Sequence, residues 1–95
     1  MKILNTNYKV KFFEENSELE NLGDCYGYCD TENKIIGVCK NHKNTKKFYI
    51  HELVHAFLEE SFNETKSCDE ELVETITGII VEIMKALKIW DKWKC

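Results

Sequence analysis

Along the first thirteen residues, Ile3, Tyr8, Val10 and Phe12 stand among polar neighbours at a spacing near two, and Asn5-Thr6-Asn7 interrupts them with turn-forming residues. The pattern predicts a hairpin or a bent strand. Ser17 to Gly23 carries neither period; Ser17 with Glu20 fits a capping box and Gly23 a stop, so this stretch reads as irregular. Tyr26-Gly27-Tyr28-Cys29 and Lys34 to Cys39, joined by Asp30-Thr31-Glu32-Asn33, give a second hairpin signal. From Thr45 the period changes. Phe48, Leu53, Val54, Phe57 and Leu58 mark one face of a helix that should end near Glu60, where Ser61-Phe62-Asn63 breaks it. A second helix should start between Ser67 and Asp69 and run to about Lys88, carrying Leu72, Val73, Ile76, Ile79, Ile80, Ile83 and Leu87 at helical spacing. Strands first and helices after predict an α+β fold. We expect a small antiparallel sheet of three to four strands with two main helices packed on it.

Composition narrows the possibilities. The 95 residues are 43% hydrophobic, which supports one core and hence a single domain over residues 1–95. A formal net charge of −4 gives no general attraction to phosphate backbones, so nucleic acid is not an expected partner. The one basic stretch, Lys40 to Lys47, reads as a solvated loop entering the first helix. The N-terminus has no apolar signal-peptide core, and no run approaches the roughly 18 apolar residues a membrane span requires, so no membrane association is expected. Five cysteines, an odd number without a secretory signal, argue for a reducing compartment and a cytoplasmic protein.

The chemistry concentrates in His51-Glu52-Leu53-Val54-His55. On a helix, residues 51 and 55 are separated by one turn plus about 40° and by ~6 Å of rise, so both imidazoles leave one face and can converge on an ion. Glu52 lies about 100° round from His51 and can reach a water on that ion without ligating it. HExxH metallopeptidases use this spacing: zinc lowers the pKa of its water, a carboxylate takes the proton, and the hydroxide attacks a polarised carbonyl. Leu53, Val54 and Phe57 flank the motif with apolar side chains, and it uses two of the three histidines.

A catalytic zinc needs a third protein ligand. Leu58 and Ser61 stand where a metzincin has its glycine and third histidine, and Glu59 lies two turns from His51, too far along the helix. The first turns of the second helix, Asp69-Glu70-Glu71-Leu72-Val73-Glu74, remain as the source. Ser67 with Glu70 also fits a capping box, which would occupy Glu70 and leave Glu71 as the alternative third ligand.

HELVH followed by Glu70 and Glu74 resembles the gluzincins, the thermolysin-like zincins, whose second motif is a glutamate ligand followed four residues later by an acid that orients the first histidine. That acid is usually aspartate; here it is glutamate, and the interval from His55 to Glu70 is shorter than in thermolysin. The whole pattern, from N-terminal hairpin to EELVE, is similar to short metallopeptidase-like proteins of phages and mobile elements. The resemblance implies a Zn2+ cofactor on His51, His55 and Glu70, Glu52 as general base, Glu74 as the orienting acid, and Gly78 as a small residue admitting close helix approach. It also implies a protein or peptide substrate added as a strand to the sheet edge near the metal, expected at Lys34 to Cys39. So short a chain offers a shallow cleft, so either the substrate is a flexible segment of a protein or an activating partner protein completes the site.

Cys25, Cys29, Cys39 and His42 are spaced C-x3-C-x9-C-x2-H, but Cys25 and Cys29 in one extended strand would lie ~13 Å apart, too far to share an ion. Cys68 and Cys95 show no partner pattern. Trp90 and Trp93 are expected to be buried by a terminal helix. The expected function is therefore zinc-dependent peptide-bond hydrolysis; the rival is a non-enzymatic, zinc-stabilised adaptor or inhibitor protein of a mobile element.

Overall fold

A computed structural model describes residues 1–14, 26–40, 43–62 and 69–93. The elements are β1 (Lys2–Ile3), β2 (Thr6–Asn7), β3 (Lys9–Phe13), β4 (Gly27–Asp30), β5 (Ile35–Cys39), α1 (Thr45–Ser61) and α2 (Glu70–Ala86). The fold class is α+β, as the order of periodicities predicts. The expected irregular stretch at Ser17 to Gly23 lies outside the described residues.

The first hairpin turns at Leu4 and Asn5, both at positive φ (45° and 74°), so the turn falls earlier than the Asn5-Thr6-Asn7 break suggests. Two consecutive positive φ values make the tight two-residue connection whose twist matches the strands. In the second hairpin, the Asp30 carboxylate accepts from the Asn33 backbone N–H (3.0 Å) and side-chain amide (2.9 Å), folding the loop on itself. Gly37 on β5 faces Tyr28 across the ladder, and the Tyr28 ring occupies the space where a Cβ would stand.

The three-stranded sheet has the order β3-β5-β4, with β5 antiparallel to β4 but parallel to β3. The sheet is thus mixed, where an antiparallel one was expected. Alternation identifies a strand without naming its neighbours, and here the β4–β5 hairpin folds back so that β5 enters between β4 and β3. The apolar run Ile36-Gly37-Val38-Cys39 is buried throughout, as befits a central strand. That position also overturns Lys34 to Cys39 as the edge for an added strand, because β5 is already paired on both sides.

The second correction concerns the helices. α1 lies on β4 and β5, whereas α2 packs against α1 rather than on the sheet. The reason is that α1 has two apolar sides. Tyr49 and Ala56 join Ile3, Tyr8, Ile36 and Val38 in one core cluster; Ile50, Val54 and Leu58 join Val73 and Val81 of α2 in another. Trp93 packs against both clusters. The chain reaches it through turns after Ala86, not through the expected terminal helix, and Lys46 donates to the Trp90 carbonyl to tie that segment to α1. Gly78 does not mediate helix approach: a Cβ there would meet nothing within 4 Å.

Near the end of α1, Glu60 accepts from the Thr6 hydroxyl (2.6 Å), the Tyr8 hydroxyl (2.9 Å) and the Lys34 ammonium (2.8 Å). These bonds join both hairpins to the helix. The Lys34, Thr6 and Tyr8 donors hold its carboxyl down at about 2, below the ordinary 4.5. A depressed carboxyl stabilises the fold above its unfolded value, and the contribution is lost as pH falls through the folded one. Glu60→Gln should therefore melt lower than wild type at neutral pH, and the difference should close between about pH 4.5 and about 2, as followed by circular dichroism. In α2, the hydroxyl of fully buried Thr77 has no hydrogen-bond partner among the described residues. Thr77→Val should raise stability by about 1 kcal/mol in chemical denaturation, since the methyl fills the same space without the desolvation cost.

Candidate metal centre

The third side of α1 carries His51 and His55, both largely buried, with their Nε2 atoms 3.2 Å apart. Facing them is the first turn of α2. Asp69 caps that helix by accepting from the Leu72 backbone N–H (3.1 Å), which makes Glu70 its first residue. Glu70 is therefore not the glutamate of a capping box, and the competition anticipated with Ser67 does not arise. Its carboxylate reaches both imidazoles, Oε2 to His51 Nε2 at 3.3 Å and Oε1 to His55 Nε2 at 3.0 Å.

One turn further along α2, Glu74 Oε1 lies 2.8 Å from His51 Nδ1. A carboxylate on Nδ1 is the contact that orients a metal-binding imidazole, with Nε2 left facing His55 and Glu70. One ligand atom each from His51, His55 and Glu70 lies within 4.8 Å of the others. Glu71, the alternative, is exposed and is not in that group.

The donor set suits zinc. Bonds of roughly 2.0–2.1 Å in a tetrahedron place neighbouring donors about 3.3–3.5 Å apart, close to the separations found here. A tetrahedral ion held by two nitrogens and one carboxylate would keep its fourth position for water. The centre is held by helices on both sides, and the negative Glu70 sits at the positive end of α2.

Glu52, between the two histidines in sequence, points toward the sheet side and is only 8% exposed. Gly27 of β4 makes room for it: a Cβ at residue 27 would stand 3.0 Å from Glu52 Oε2. Burial, and then the Glu70 carboxylate, push the Glu52 carboxyl up to about 8. His51, Glu52 and Glu74 all line a cleft of about 290 Å³ whose other wall includes Tyr26 and Gly27. No protein-family model, curated protein or solved structure matches this chain.

Gly27 and the cleft-lining Lys47 were not anticipated. A glycine opening a strand is the visible signal for the first; Lys47 lies in the first turn of α1, at the end of a basic run that reads as loop. Of the tyrosines able to approach from the second hairpin, Tyr26 lines the cleft, while Tyr28 lies over Gly37 and stacks near Phe13 (6.3 Å). Cys25, His42, Cys68 and Cys95 fall outside the described residues. Cys39 is buried, and burial with nearby Glu52 and Asp30 pushes the Cys29 thiol up to about 12, against a thiolate role.

Zinc titration against a chromogenic chelator tests the ligand assignment. One equivalent should bind the wild type; His51→Ala or His55→Ala should abolish it. Glu74→Gln should weaken binding by roughly 10- to 100-fold through loss of imidazole orientation, and Glu71→Gln should leave it unchanged.

Proposed function

We propose that this chain is a zinc-dependent peptidase of gluzincin type, with His51, His55 and Glu70 as the metal ligands. The observation that carries the reading is the convergence of His51 Nε2, His55 Nε2 and the Glu70 carboxylate on one point, beside a buried carboxyl that opens on a cleft. Bound zinc would supply Lewis acidity and bring the pKa of water down toward ~7.

The chain's own groups perform the rest. Glu74 holds the His51 tautomer, so the imidazole presents a lone pair without rotating. Glu52 accepts the proton of the attacking water and returns it to the leaving amine; its carboxyl is kept from bulk water by Gly27 and the sheet. A cation held by His51, His55 and Glu70 would favour the ionised form of Glu52, opposing the burial and the Glu70 charge that push its carboxyl up to about 8. The substrate is a protein or peptide segment lying in the cleft between β4 and the first half of α1, flexible enough to enter a site this shallow.

A second reading, a non-enzymatic zinc-stabilised adaptor, is favoured by one observation: Ile79 and Ile83 of α2 and Leu87 just after it are more than half exposed. Such a face serves a partner protein and requires no catalysis.

Comparison of wild type with Glu52→Gln separates the two. With zinc content and melting temperature matched, cleavage of a denatured protein substrate should fall by at least ~100-fold in the variant. Equal cleavage in both, or none in the zinc-loaded wild type, would favour the adaptor.

A further inference from the structure

The basic stretch that leads into α1 does not behave as a unit. Lys40 lies 3.7 Å from Glu14, and Lys46 donates to the Trp90 carbonyl with its ammonium 5.4 Å from the Trp90 ring centre. Lys34, farther back, is fixed on Glu60. Lys47 is different: it lines the cleft, one helical turn before His51, and makes no ion pair among the described residues.

Both acids sharing that cleft are already committed. Glu74 is bonded to His51 Nδ1, and Glu52 is buried behind Gly27. Among the described residues Lys47 is therefore a cation without an ion-pair partner beside the candidate metal centre, in a protein of net charge −4. Beside it, Phe48 stacks on Tyr26 with ring centres 5.1 Å apart and planes 7° from parallel, giving the cleft a flat aromatic wall.

The geometry points to Lys47 as the specificity residue of the cleft, binding a carboxylate of the substrate peptide within about one residue of the bond at the metal centre. This inference rests on the peptidase reading for its substrate, but not for its test. The carboxylate comes either from an Asp or Glu side chain or from the chain terminus. A lysine ammonium, unlike a guanidinium, meets it as a point charge on a flexible stem, so its reach allows either source. The neighbouring substrate side chain lies on the aromatic wall, which favours an apolar or aromatic residue there.

Three dye-labelled heptapeptide pools, each with one aromatic residue, distinguish the outcomes by fluorescence anisotropy. One contains an internal glutamate and an amidated end, one a free terminal carboxylate and no acidic side chain, and one glutamine with an amidated end. Binding is measured on the full chain, zinc-loaded and after chelation, for wild type, Lys47→Gln and Lys47→Arg. At least one carboxylate pool should bind wild type roughly three- to tenfold more tightly than the neutral pool. Lys47→Gln should erase that margin and Lys47→Arg should restore most of it. Whichever carboxylate pool wins names the source. Equal binding of all pools, no binding of any, or a margin that survives Lys47→Gln overturns the inference. Lys47-dependent binding without cleavage by the zinc-loaded chain overturns the peptidase reading alone; cleavage indifferent to the carboxylate overturns only the role of Lys47.

Discussion

Helix α1 is buried on two sides at once, and the placement of every other element follows from that. Its Tyr49 and Ala56 side lies on the small mixed sheet, while its Ile50, Val54 and Leu58 side accepts α2. The arc that remains carries His51 and His55, which the two packing partners flank without covering. With one neighbour on each side, the imidazoles are walled by protein yet not submerged. Glu52 is pressed to the sheet side, where a glycine strand start admits it. A helix packed on a sheet alone would leave its histidines in water; one surrounded completely would close them off from any cleft.

The second helix turns this platform into a centre. Asp69 caps and fixes the first turn of α2, so Glu70 and Glu74, one turn apart, address the two nitrogens of His51 from one face. Among the described elements α2 packs mainly on α1, so its outer side keeps Ile79 and Ile83 exposed, and Leu87 just past its end is 65% exposed. That arrangement follows from the shortage of sheet: three strands cover one helix. Among the described residues no helix is long and apolar enough to cross a membrane, so the apolar face of α2 is not a spanning segment.

Much of this was legible in the sequence, because the strongest signals were local. Helical spacing placed α1 and α2 to within a residue or two at most ends, and the second hairpin was visible from its turn residues, whereas the first turns at Leu4 and Asn5, ahead of the Asn5-Thr6-Asn7 break. The one-turn spacing of His51 and His55 was legible directly, whereas Glu70 and Glu74 came from the resemblance to the gluzincins; the structure brings all four side chains together. What was not legible is relational. Nothing in the alternation of β3 or β5 says that they pair in parallel, and nothing in α2's periodicity says that its partner is a helix rather than a sheet. Trp90 and Trp93 read as a helical continuation, yet the chain turns at Leu87 and Lys88, where the latter takes a φ of 60°. The helix-capping role of Asp69 was hidden by a plausible alternative two residues earlier, and only the backbone geometry separates a capping glutamate from a ligating one.

The central claim is that zinc is bound by two imidazoles and a carboxylate, with a position left for water. X-ray absorption at the zinc edge on protein purified without added metal tests it most directly. The account predicts a first shell of nitrogen and oxygen only, at about 2.0–2.1 Å, with the outer-shell pattern of two imidazoles. A sulfur shell at about 2.3 Å would move the metal to the cysteines, and a protein that carries no zinc and takes up none would remove the centre altogether.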